Sequence, residues 1–202
     1  RWSFCFDPVT NTLILNNGAC MLEYDGQRLR RLKADASSTE AILWSGAIPG
    51  RLNPRSASIL LALSKLRTQP PIGKYVVDFA GCIIVIGTND GYGVASSAPG
   101  NNYLWPLAGE TRVRDADNLI PTGGATLNDR LYVWTPTMIH ESAPPDEKGL
   151  LNFRPVSHGI GFISHFAVCK VAIGGQQMLL GVNSDGLYAF SGIEPTAVID
   201  RW

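Results

Sequence analysis

Residues 176–192 constrain the fold more than any other stretch: Gln-Gln-Met-Leu-Leu-Gly-Val-Asn, then Ser-Asp-Gly, then Leu-Tyr-Ala-Phe-Ser-Gly. Apolar β-formers flank a tight turn placed on Asp185-Gly186, where a two-residue hairpin loop needs left-handed backbone that Gly adopts freely and Asp tolerates. The segment therefore reads as antiparallel β, ending in an aromatic residue, a small polar residue and a glycine. By itself it carries no chemistry. Its weight comes from imperfect copies elsewhere in the chain.

Residues 2–33 hold four short strand-like segments, 2–6, 12–15, 20–24 and 28–32, separated by turns at 7–11, at Asn16-Asn17-Gly18 and at Asp25-Gly26. Four strands with turns between them make a blade-sized unit, and Tyr24-Asp25-Gly26 repeats the ending Phe190-Ser191-Gly192. The rhythm returns at 75–79 and 82–87, joined by Ala80-Gly81, and continues past Asn89-Asp90-Gly91 into 92–97. A further unit runs through 125–127, the turn Asn128-Asp129, 131–135 and 138–141. Residues 151–175 supply two more strands before the last hairpin. The spacing gives roughly four units of about 40 to 50 residues, within the range of propeller repeats.

Residues 34–73 interrupt the pattern. Ala41-Ile42-Leu43-Trp44 fits a strand, and Pro49-Gly50 and Asn53-Pro54 punctuate a loop. Residues 56–66 are rich in Leu and Ala behind a capping Ser56, so an irregular or partly helical insertion is expected around 50–68. The fold expected is all-β: a β-propeller of about four or five blades, or part of a larger one, built from antiparallel hairpins in a single domain over 1–202, with 34–73 an inserted connector or divergent blade.

Composition narrows the function classes. Hydrophobic residues make up 45% of the 202, charged residues only 17%, and 17 basic residues balance 17 acidic ones. The balance suits a globular β protein with large subunit contacts, and a net charge of zero supplies no global field to hold nucleic acid. Apolar runs such as 81–87 and 59–63 fall far short of the roughly 20 residues a membrane helix needs, so no membrane segment is expected. Cys5, Cys20, Cys82 and Cys169 lack metal-site spacing and sit in apolar surroundings, which favours buried, reduced thiols.

Candidate chemistry is thin. Arg28, Arg30, Arg31 and Lys33 form the densest basic run; their alternation with Leu29 fits a solvated edge strand, the rival being a strip facing DNA or an acidic neighbour. His140, His158 and His165 lack ligand spacing, and the last two are expected on opposite faces of one strand. Asp78, Glu110, Asp115, Asp117 and Glu141 are scattered, where a hydrolase needs convergent carboxylates. Trp44, Tyr103 and Trp105 are the aromatics placed to stack on sugars, against the reading that strand aromatics fill the space between blades. No catalytic, cofactor-binding or metal-binding residue is assigned, and no cofactor is expected.

The order of three stretches resembles the propeller of tailed-phage tail proteins: Pro71-Ile72-Gly73-Lys74-Tyr75-Val76-Val77-Asp78-Phe79-Ala80-Gly81 with Ser96-Ser97-Ala98-Pro99 and Trp105; residues 127–135; and Gly159-Ile160-Gly161 onward through 184–192. The resemblance covers 71–202 and extends to the first 33 residues. It is to the nozzle, hub and tail-tube-associated proteins of short-tailed phages, and it implies a non-enzymatic virion component, made in the host cytoplasm. Such a protein assembles with copies of itself in a ring, commonly six, around the DNA exit channel. Its implied partners are an adaptor, fibres or spikes, and genomic DNA in transit without sequence-specific binding. The alternative reading is a glycan-binding propeller module in host attachment, and the third a glycoside hydrolase.

Overall fold

The computed structural model describes residues 2–34, 66–67, 69–146 and 149–200. Their regular structure is four four-stranded antiparallel sheets, each a simple meander in chain order. Sheet 1 holds β1 (Ser3–Asp7), β2 (Thr12–Asn16), β3 (Met21–Tyr24) and β4 (Leu29–Arg31); sheet 2 holds β5 (Tyr75–Phe79), β6 (Cys82–Thr88), β7 (Gly93–Ser96) and β8 (Glu110–Arg112). Sheet 3 holds β9 (Gly123–Leu127), β10 (Arg130–Trp134), β11 (Met138–Ser142) and β12 (Phe153–His158); sheet 4 holds β13 (Val168–Ile173), β14 (Gln176–Asn183), β15 (Gly186–Phe190) and β16 (Pro195–Asp200). The all-β, blade-built architecture expected from the repeat is present, with four blades. Single 3-10 turns occur at Leu107–Gly109 and His165–Ala167. Of the expected insertion, only Leu66, which bridges to Pro106, and Arg67, whose N–H donates to the Trp105 carbonyl (2.7 Å), belong to the described residues; the strand expected at 41–44 lies outside them.

Alternation along each strand gives every sheet two faces, and three apolar seams join the sheets in sequence. Ile14 and Met21 of sheet 1 meet Val76, Ile83 and Val85 of sheet 2, with Trp105. The other face of sheet 2, with Val77, Ile84 and Ile86, meets Leu131 and Val133 of sheet 3. The far face of sheet 3 then meets sheet 4, where Tyr132 stands edge-on to Phe190 (4.9 Å) and Trp134 edge-on to Phe162 (5.4 Å). Each sheet thus turns a back face to its predecessor and a forward face to its successor. Every residue of β6 and β11 is buried, as strands covered on both sides require.

Polar side chains lock the seams. Asn16, at the end of β2, is fully buried and donates to the Gly73 carbonyl (2.8 Å). Asn183, at the same station in β14, donates to the carbonyls of Pro136 (2.9 Å) and Gly161 (2.8 Å). Asn16 thus satisfies the carbonyl of the segment that leads into sheet 2 and Asn183 that of the segment that leads into sheet 4, while the Pro136 carbonyl also accepts from the Gly161 N–H (3.1 Å).

The arc does not close among the described residues: β16 pairs only with β15, β1 pairs only with β2, and no apolar cluster joins sheets 1 and 4.

Candidate functional site

The first hairpins of sheets 2, 3 and 4 turn on Ala80-Gly81, Asn128-Asp129 and Gly174-Gly175, and all six residues have positive φ. Such two-residue turns match the twist of the strands they join. They bring their tips to one end of the arc, around a hollow of about 1030 Å³ whose wall includes Asp78, Asn128, Asp129, Lys170, Gln176 and Gln177. In sheet 1 the equivalent loop is longer. Asp7, fully buried, organises it by accepting the N–H groups of Val9 and Thr10 (both 3.0 Å), the Thr10 hydroxyl and the Asn102 amide.

Asp78 is the distinctive group of this hollow. It is half-buried on β5, and its Oδ1 has no hydrogen-bond partner. Burial, reinforced by the charge of Asp7, pushes its pKa up to about 6. The same two carboxylates, after burial itself, raise the Cys5 thiol far above its ordinary range, so Cys5 stays protonated and inert. The hollow therefore holds a carboxylate of raised pKa, Asp78, in a polar wall. No group of three or more His, Cys, Asp or Glu among the described residues is arranged to hold a metal ion.

The other candidate carboxylates are committed to structure and do not converge. Glu110 accepts from the Thr88 hydroxyl (2.6 Å) and from Arg67 and Asn89. Asp115 accepts from the hydroxyls of Thr135 (2.7 Å) and Thr137 (2.8 Å) and from the Leu119 N–H (2.6 Å); burial works against its charge, but these bonds outweigh it and hold the carboxyl below its ordinary range. Glu141 accepts from Arg154 (2.6 Å), and Asp117 is exposed in a turn.

Histidines and aromatics are likewise used for packing. His140 is buried on β11, and burial lowers its pKa. His158 and His165 do not share a strand as expected: β12 ends at His158, and His165 opens a 3-10 turn. There His165 stacks on Tyr75 (4.9 Å) and Trp134 (6.4 Å), and burial keeps it neutral at physiological pH. A side chain at Gly123 would strike both His165 (2.7 Å) and Trp134 (2.8 Å), so the stack depends on that glycine.

Of the sugar-stacking candidates, Trp105 is 1% exposed and belongs to the first seam, Tyr103 donates its hydroxyl to Glu23 (3.1 Å), and Trp44 lies outside the described residues. The basic run sits on and beside β4, the outermost strand of sheet 1, whose residues are all exposed; Arg30 pairs with Glu23. This is the edge-strand placement its alternation suggested. The thiols divide: Cys82 is buried and its pKa is raised to about 11, chiefly by burial, Cys5 and Cys20 are half-buried, and Cys169 is exposed, contrary to expectation, because it faces outward on the uncovered side of sheet 4.

No family model matches the chain, and no curated protein matches it. Among solved structures, the extracellular domain of a hybrid two-component system from B. thetaiotaomicron superposes with a TM-score of 0.52 at 12% identity, a likeness of fold alone. It covers 98% of this chain and 22% of that one, so the four sheets span under a quarter of their structural neighbour.

Proposed function

We propose that this chain is a structural, non-enzymatic protein of a phage tail, a nozzle- or hub-type component that assembles in copies around the DNA exit channel and contacts adaptor, fibre or spike proteins. The observation that carries the reading is the distribution of charge over the blades. The wall of the inner hollow has Asp78 and Asp129 against the single cation Lys170, while the densest basic run lies on the outer edge of sheet 1. A polyanion held by lysines and arginines releases counterions and binds; a near-neutral or acidic surface lets it pass. The stretches that carry the tail-protein resemblance also fall on the first hairpins of sheets 2 and 3 and on the β14–β15 hairpin.

The reading is tested in particles. Peptides of this chain in purified virions from cells carrying its gene, together with gold-labelled antibody at the tail, are the expected result. A chain missing from virions and retained as a monomer on a glycan array would overturn it in favour of an attachment module.

A further inference from the structure

The three seams inside the molecule each join the forward face of one sheet to the back face of the next, and among the described residues the ends of the arc leave one face of each kind uncovered. The back face of sheet 1 presents Phe4, Phe6, Leu13, Leu15, Tyr24 and Leu29, with Phe4 68% and Phe6 53% exposed. The forward face of sheet 4 presents Val171, Ile173, Met178, Leu180, Val182 and Ile199, with Ile173 58% and Ile199 46% exposed. Contiguous apolar sheet faces of this extent mark interaction surfaces.

We infer that the forward face of sheet 4 docks head-to-tail on the back face of sheet 1 of a second copy of this chain, forming between copies the seam the molecule forms three times within itself. Three observations select this occupant. The two faces differ in kind, one bearing Phe4, Phe6 and Tyr24 and the other shorter side chains such as Val171, Leu180 and Val182, so each offers the other a fit in size that neither offers itself. Charges flanking the two faces are opposite: Arg28, Arg31 and Lys33 stand exposed on and beside β4, with Arg30 engaged by Glu23, whereas Asp185 and Glu194 stand exposed in the turns on either side of β15 and no lysine or arginine occurs in 171–200. A second copy also brings both faces at once. Head-to-tail contact is heterologous and closes when the rotation allows, so two arcs cover all four open faces without any other protein.

Phe6 and Ile173 both stand near the turn ends of first strands, β1 and β13, and oppose one another across such a junction. Sedimentation of the wild-type chain at micromolar concentration should show self-association beyond the 21.8 kDa monomer. Phe6→Asp and Ile173→Asp, both at exposed positions, should each weaken it about tenfold or more with unchanged thermal unfolding. An equimolar mixture of the two variants should recover a heterodimer, because one copy keeps its forward face and the other its back face. A monomeric wild type overturns the inference, as does an assembly that survives both substitutions, or one broken by Phe6→Asp alone, which indicates a symmetric contact. The measurement uses the isolated chain, so its failure leaves the virion reading in place, and absence from virions leaves this junction in place.

Discussion

Among the described residues, sheets 2 and 3 are covered on both faces, whereas sheets 1 and 4 are covered on one, yet all four are written with apolar residues on both. In β6 (Cys-Ile-Ile-Val-Ile-Gly-Thr) this composition is explained by complete burial. In β2, Ile14 is fully buried while Leu13 and Leu15 on the other face are only half-buried. A solvated antiparallel sheet alternates apolar with polar residues, and these end sheets do not. The difference shows that the end blades carry the sequence of interior blades, and that what separates them is neighbours alone.

Substitutions can test that contrast. Trp134→Ala, in the seam between sheets 3 and 4, should cost about 3–5 kcal/mol in urea unfolding, as for other buried large-to-small changes. Gly161→Ala should cost about 3 kcal/mol or more, because its Cβ would overlap the Thr135 carbonyl oxygen and lie 2.8 Å from backbone atoms of Met138. If seam locks matter as the geometry indicates, Asn183→Ala should cost about 1–3 kcal/mol by stranding the buried Gly161 carbonyl.

Asp78→Asn should act in the opposite direction. The carboxyl titrates near 6 when folded and in the ordinary carboxylate range when unfolded, so the folded state binds the extra proton and stability falls as pH rises from about 4 through 6. The variant should remove that slope and stabilise the chain at pH 7 by about 1 kcal/mol, a value discounted for the water that reaches a half-buried group. Phe4→Ser on the open flank is the smallest change: within about 0.5 kcal/mol for the monomer, unlike any aromatic substitution inside a seam.

Much of the fold was legible from the sequence because turn chemistry and alternation act locally. The strands of sheet 1 fall within one or two residues of their expected places, and Asn128-Asp129 turns with both residues left-handed. Gly26 and Gly192, read as equivalent, both have positive φ at the third hairpin of their sheets. The leading hairpin itself is placed differently: Asn183 pairs with Gly186, so the loop is Ser184-Asp185, and Gly186 already belongs to β15. Its likeness to Asn89-Asp90-Gly91 is one of station, since Thr88 pairs with Gly93 around a four-residue loop.

Non-local facts were not legible. Glu110-Thr111-Arg112 is too short and polar to announce a strand, and it is held in place by β7. Trp105 looked like a loop aromatic until Ile83 and Val85 enclosed it. The raised pKa of Asp78 comes first from burial and then from Asp7, distant in sequence, and no spacing rule foretells either.

Because every ladder among the described residues joins strands that are consecutive in the chain, none of these strands waits for a partner made much later. Closing such short loops is fast and costs little entropy, so each sheet can form as it emerges from the ribosome, with the seams setting afterwards. Amide exchange should register that order in reverse: β6 and β11 exchanging last, β4 and β16 first. A chain assembled this way grows like masonry laid course by course, and the first and last courses are the ones left with open joints.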